Sequence, residues 1–241
     1  MKTIIYVDGF NLYYGSVKDT PYKWLNIHRM CELLLPNNQI VGMKYFTAKV
    51  ISRKSDPQKH LRQQVYLRAL ETLPNFEIIY GHYSEHPKWM RLANPQPGQA
   101  KYVEVIKTEE KGSDVNLAVN LLNDGYEGKY QLATIVTNDS DLLSAVQIVQ
   151  NDLGLKVGIL NPQKHPSKEL KNEALFMKKI RPGVIQASQF PKTMKDAKGS
   201  FYKPKEWYEE GNIDSLVDWW RNHLYAYKHP KNTNKVNWRT Q

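Results

Sequence analysis

Thr134-Ile135-Val136-Thr137-Asn138-Asp139-Ser140-Asp141-Leu142-Leu143 is the stretch whose reading decides the fold. Ile135 and Val136 end a short β-branched apolar run, the signature of a buried strand, and from Leu142 the apolar positions Leu142, Leu143, Val146 and Val149 fall at helical spacing. Two carboxylates, Asp139 and Asp141, therefore stand where a strand hands over to a helix. In an open α/β sheet that edge, outside the carboxyl ends of the strands, is where ligands bind.

Outward from this stretch the pattern repeats. Residues 3–7 read as a strand, Asp8-Gly9 as a turn and residues 10–17 as a helix start, so Asp8 also lies at a strand's C-terminal end. Residues 28–35 form a short helix stopped by Pro36, and residues 40–50 a second strand ending in the basic turn Arg53-Lys54. Leu61, Val65, Ala69, Leu70 and Leu73 trace one face of a long helix, followed by a strand at 76–80. Residues 86–100 carry Pro87, Pro95, Pro97 and Gly98 without periodicity and read as a long loop. Residues 102–107 read as a strand or hairpin arm, and Val115, Ala118, Val119 and Leu122 as a helix that Ser113 could cap. Strands at 132–137 and 155–160 complete an alternation that predicts a mostly parallel sheet covered on both faces.

The chain has 241 residues, one cysteine and a net charge of +10. Clustered Lys and Arg gain counterion-release free energy on a phosphate backbone, so the charge favours a polyanionic partner. A lone Cys31 excludes an intramolecular disulfide and a cysteine-based zinc site, and fits a reducing compartment. The run Ile4-Ile5-Tyr6-Val7 is broken by Asp8 and is too short for a signal peptide or membrane span, which gives the expectation of a cytoplasmic protein with no membrane partner. From about residue 181 the character changes: residues 181–241 carry eleven Lys and Arg against six acidic residues. Ile213, Leu216, Val217, Trp220 and Leu224 predict an amphipathic helix there, followed by a polar tail. The expected division is a main domain over residues 1–180 and a basic linker, helix and mobile tail over 181–241, with Trp219 and Trp220 available as a homodimer interface.

Asp8, Asp114, Asp139 and Asp141 all fall at strand ends or helix starts, far apart in sequence. If the strand of Asp8 neighbours that of Asp139, all four can face one crevice. Clustered carboxylates raise one another's proton affinity unless a cation neutralises them, and oxygen-rich sites of this kind suit Mg²⁺ or Mn²⁺, which assist phosphodiester cleavage. Each acid taken singly is more often a helix cap or dipole partner than a catalyst, so the argument rests on joint placement.

Three motifs occur in order: Asp8-Gly9-Phe10-Asn11, then Lys111-Gly112-Ser113-Asp114-Val115-Asn116-Leu117-Ala118, then Thr137-Asn138-Asp139-Ser140-Asp141-Leu142. In order and spacing they resemble the NYN domain family of PIN-like ribonucleases, over roughly residues 1–180. The resemblance implies an α/β fold, a three-layer α/β/α sandwich with a mostly parallel central sheet, to which the pattern beyond residue 180 adds a small C-terminal helical extension. It further implies a Mg²⁺- or Mn²⁺-dependent endoribonuclease that leaves a 5′-phosphate and a 3′-hydroxyl. Carried over by residue, Asp8, Asp114, Asp139 and Asp141 are similar to the metal-site acids and Asn11 to the polar residue that orients them. Asn120 stands where similar sequences often have Asp, and Thr137-Asn138 replaces a small Ser-Gly pair.

A positive groove with aromatic faces holds single-stranded RNA. Arg53, Lys54, Lys88, Trp89, Arg91 and Lys101 are the expected wall, Trp89 being either a stacking platform or a plug on the core, and Lys111 a candidate for the scissile phosphate. Tyr13, Tyr14 and Tyr22 are placed to stack on a base or simply to pack. The competing functions are a small-molecule phosphotransferase or phosphatase, a non-catalytic RNA-binding or assembly protein, and a toxin or defence effector sharing the same acids.

Overall fold

The computed structural model describes residues 1–208 except Arg53 and Pro97. The expected helix at Ile213–Leu224, the Trp219-Trp220 interface and Arg53 lie outside the described residues. Contacts divide the chain into a compact unit, Met1–Trp207, and a second unit, Tyr208–Gln241. In the first unit β1 (Lys2–Asp8) is followed by α1 (Gly9–Leu12), which continues as a π-helical turn, and α2 (Ile27–Leu34). Then come β2 (Gln39–Thr47), α3 (Lys59–Leu70), β3 (Phe76–Tyr80), β4 (His82–Arg91), β5 (Tyr102–Lys111) and α4 (Ser113–Tyr126). β6 (Leu132–Val136), α5 (Leu143–Gln147), β7 (Lys156–Asn161), α6 (Lys168–Glu173), β8 (Phe176–Lys179) and α7 (Pro182–Gln186) follow, and β9 (Thr193–Asp196) and β10 (Gly199–Tyr202) close the unit as a hairpin.

The central sheet has the order β3-β2-β1-β6-β7-β8, with every neighbouring pair parallel. All of β6 and all but the first residue of β1 and β7 are buried, as strands covered on both faces must be. Side chains alternate between two cores. Ile5 and Val7 pack with Met30, Leu67, Leu70 and Ile185 of α2, α3 and α7, whereas Ile4 and Tyr6 pack with Leu117, Leu121, Val146 and Leu170 of α4, α5 and α6. That is a three-layer α/β/α sandwich. Phe190, next to Trp24, and Phe201 extend the first core, so residues 182–207 belong to the same packed body. Arg68 ties the terminal hairpin down through two 2.7 Å bonds to Asp196 while lying over the Phe201 ring.

Three local expectations are corrected. Residues 86–91, expected in a loop, lie in β4, which pairs antiparallel with β5 in a separate two-stranded sheet. Both faces of such a ribbon meet solvent, so the apolar alternation that marks a strand is missing, and Pro87 is tolerated because every strand of the ribbon is an edge. On α3, Leu61 is exposed, but the rest of the expected face packs inward, Ala69 and Leu70 buried and Val65 and Leu73 against the first core, joined by Gln63, Tyr66 and Leu67. Gln63 faces in because its amide holds the chain beyond β2, accepting from Val50 N at 2.8 Å and donating to Ala48 O at 2.9 Å. On α4, Leu117 and Leu121 are buried while Val115 and Val119 are exposed, and Ser113 does not cap. Instead Glu110 accepts from the Ser113 hydroxyl at 2.7 Å and from its backbone N–H at 3.2 Å. None of the described helices is long and apolar enough to cross a membrane.

Candidate active site

The chain builds outward from β1 in one direction through β2 and β3 and in the other from β6 through β7 and β8. The β1–β6 pair is therefore the topological switch point, where the connections diverge and leave a crevice beyond the strand ends. Val7 pairs with Val136, so the residues that follow, Asp8 and Thr137, emerge side by side.

Each acid is held by ordinary backbone physics. Asp8 caps α1, accepting from Asn11 N at 2.9 Å, and its other oxygen accepts from the Thr137 hydroxyl at 3.2 Å. Thr137 in turn accepts from Asp139 N at 3.1 Å, and Asp139 caps the following 3-10 turn by accepting from Asp141 N at 3.0 Å. Asp114 lies in the first turn of α4. Gly9 is required directly after Asp8, because a Cβ there would stand 2.6 Å from the Tyr45 ring and 2.8 Å from Phe46 O. Asn11 joins the two motifs, its side-chain oxygen accepting from Asn138 N at 3.1 Å and from Gln163 at 3.4 Å. Asn138 lines a shallow pocket with Asn11 and Asp139. Its amide accepts from Ser167 N at 2.7 Å and donates to His165 O at 2.9 Å, pinning the loop after β7 to the site.

Burial pushes the Asp8 carboxyl up from 3.8 to about 6, against the hydrogen bonds from Asn11 and Thr137 and with the added repulsion of Asp114 and Asp139. Asp114 is likewise raised, by desolvation first and then by Asp139, Glu110 and Asp141. The four acids expected from sequence thus share one electrostatic neighbourhood, and Glu110 joins it. Thr137 is the other participant that residue-level reasoning passed over. Its type gives no signal; its bridging position between Asp8 and Asp139 exists only because β1 and β6 are adjacent.

No group of three His, Cys, Asp or Glu side chains among the described residues is arranged to hold a metal ion unaided. Uncompensated carboxylates repel, which works against a preformed cage. The donor chemistry nonetheless fits a hard divalent cation: each oxygen of Asp8 makes one hydrogen bond and retains a further lone pair, and Mg²⁺ normally keeps several waters.

Of the residues expected to hold RNA, Lys88, Trp89 and Arg91 lie on β4, Lys111 ends β5, Lys101 is exposed just before β5, and Lys54 is exposed in the connection between β2 and α3. Trp89 is 64% exposed, so it is not a plug. Trp89 and Arg91 stand opposite Glu104 and Tyr102 on one ribbon face, which interleaves aromatic and basic groups. On the other side of α1 a cavity of about 430 Å³ lies against Gly9, Phe10 and Tyr45.

A fully parallel doubly wound sheet with acids at its switch point defines a nuclease-type α/β protein of PIN-like architecture. The NYN domain model matches residues 2–178, and the chain belongs to the NYN domain family. It is 29% identical, over 88% of this chain and 77% of the other, to the 6-hydroxy-3-succinoylpyridine 3-monooxygenase HspA of Pseudomonas putida. A crystal structure of a Vibrio parahaemolyticus protein of unknown function aligns with 75% of this chain and 93% of its own, at 17% identity and a TM-score of 0.46.

Proposed function

We propose that this protein is a Mg²⁺- or Mn²⁺-dependent endoribonuclease acting on single-stranded or loop RNA. The observation that carries the reading is Asp8: a buried carboxylate raised to about 6 at the switch point, whose charged neighbours among the described residues are the carboxylates of Asp114 and Asp139. Such a group is kept at a cost to the fold, and a divalent ion relieves that cost. Asp8 and Asp139 would hold the ion directly, and Asp114 and Asp141 a second ion or its ordered water. A bound ion supplies Lewis acidity and a water acidic enough to attack phosphorus near neutral pH. Thr137 fixes the Asp8 carboxylate and the Asp139 backbone together, Asn11 locks the two strand ends, and the Trp89, Arg91 and Tyr102 face, with Lys54, Lys88, Lys101 and Lys111, attracts and stacks the RNA.

Support comes from family membership and from the net charge of +10, the balance a polyanion-cleaving protein needs around an acidic pocket. The test is cleavage of a labelled single-stranded RNA by wild type and Asp8→Asn, with Mn²⁺ or Mg²⁺ and with chelator. Cleavage by wild type with metal alone is expected; RNA binding without cleavage by either protein returns the function to a binding module.

The name of the Pseudomonas relative brings a second reading, oxygenation of a small heteroaromatic compound, and the aromatic cavity against Gly9 and Phe10 is the observation that favours it. Substrate-dependent oxygen uptake would separate it from hydrolysis.

A further inference from the structure

The cavity behind α1 is walled by Phe10, Tyr13, Tyr14, Tyr45, Tyr66 and Trp207. Tyr13 and Tyr14 meet edge to face at 5.2 Å, as do Tyr66 and Trp207 at 6.1 Å, so the rings buttress one another around open space. Most polar groups that border this space are already committed. Gln63 uses both ends of its amide on the backbone, and the Tyr66 hydroxyl donates to Leu25 O at 2.9 Å. Arg62 is paired with Asp56 and, at 3.7 Å, with Glu206, which takes up both carboxylates of the lining.

Two kinds of group are left over. Tyr45 is 6% exposed and lines the cavity, yet its hydroxyl makes no hydrogen bond among the described residues. Burial, with the nearby charge of Asp8, keeps that phenol protonated and able to donate. The hydroxyl keeps access to solvent through the cavity, so it is a donor open to a ligand acceptor that takes the place of water. Lys23 and Lys59, both half-buried on the cavity wall, make no ion pair among the described residues. Lys59 also lines an adjoining pocket of about 370 Å³, shared with Phe10 and Tyr14 and reaching Tyr83 and Glu110 on the β4–β5 ribbon. Its ammonium thus serves the passage between the cavity and the side on which the acids lie.

We propose that this cavity binds a planar heteroaromatic ring carrying an anionic group, with the ring among the tyrosines and Trp207, a ring acceptor on the Tyr45 hydroxyl and the anion on Lys59 and Lys23. Stacking on the aromatic faces is tolerant of ring identity, and the Tyr45 hydroxyl adds one directional contact. A nucleotide of an RNA chain and a free heteroaromatic acid both present this chemistry. The assignment does not depend on what reaction the acids perform.

Calorimetric titration of the full chain, with chelator present so that no metal-bridged phosphate contributes, tests it with 5′-UMP, 5′-AMP, nicotinate and uncharged uridine. The anionic rings are expected to bind at least tenfold tighter than uridine. Tyr45→Phe, which retains the ring and its packing, and Lys59→Met should each weaken the tightest probe five- to tenfold, with thermal melts confirming that both variants fold. Tighter binding of the nucleotides identifies an RNA-derived occupant, and tighter binding of nicotinate a small acid. Absence of binding by every anionic ring at millimolar concentration, equal binding of uridine, or affinities unchanged in both variants overturns the proposal. RNA cleavage, assayed separately with metal, stands or falls independently.

Discussion

Two buried aspartates, Asp8 at the end of β1 and Asp124 near the end of α4, do opposite things. Asp124, in the last turns of α4, has a fully buried side chain that accepts from the Tyr6 hydroxyl at 2.9 Å and pairs with Lys44 at 2.6 Å and Lys129 at 3.0 Å. Burial alone would raise its carboxyl, but the bonds from Lys44, Lys129 and Tyr6 outweigh it and hold the group below the usual range. Asp8 is 4% exposed and draws no opposing cation from among the described residues; burial and neighbouring carboxylates win, and it is raised to about 6. Burial therefore does not mark a functional acid. The sign of the surrounding charge does, because a satisfied buried charge holds a fold together whereas an unsatisfied one awaits a partner.

The comparison can be broken most directly by replacing each aspartate with asparagine. Asp8→Asn should lower metal-dependent RNA cleavage a thousandfold or more, about 4 kcal/mol of transition-state stabilisation, measured as kcat/KM. Asp124→Asn should leave cleavage per folded molecule near wild type but cost about 3 kcal/mol of stability in urea titrations, since Lys44 loses its buried counter-charge. Cleavage abolished by Asp124→Asn at full folding would remove the distinction.

Stability against pH sharpens it. The folded-state value of Asp8 lies above its ordinary 3.8, so its contribution favours the fold fully below that pH and is lost as pH rises through about 6. At pH 8 without metal the buried charge costs on the order of 2–3 kcal/mol. Asp8→Asn should then melt several degrees above wild type at pH 8, with the difference closing near pH 4; an unchanged or lower melting temperature at pH 8 would count against the burial argument. Mn²⁺ affinity should fall about tenfold per pH unit below pH 6, roughly 1.4 kcal/mol for each proton that competes with the ion. The smallest expected effect is that of Thr137→Val, which removes the hydroxyl between Asp8 and Asp139: about 1 kcal/mol of stability and a five- to tenfold loss of cleavage.

Asn120 makes the same point from the sequence side. It occupies a position where related sequences often carry Asp, yet its side-chain oxygen accepts from Lys44 at 2.9 Å and its amide donates to Asn116 O at 2.9 Å. It belongs to the structural network of Asp124 rather than to the acid cluster. Sequence spacing could place it on the right helix but not on the right side of it.

The sheet and the family were legible in the sequence alone. Apolar runs at residues 3–7 and 132–136, short and bounded by turn residues, read as strands buried on both faces, and Asp8, Asp114 and Asp139 fall at strand ends or helix starts, where carboxylates meet free backbone N–H groups. β4 escaped because its residues, on an exposed two-stranded ribbon, carry no apolar alternation to read, whereas residues 102–107 of its partner β5 read as a strand or hairpin arm. Only the tertiary structure decided that β1 and β6 are neighbours, that Thr137 bridges Asp8 and Asp139, and that Tyr45, Lys59 and Trp207 surround one cavity. Those facts rest on contacts between residues tens to more than a hundred positions apart, and local propensity and periodicity carry no information about such pairs.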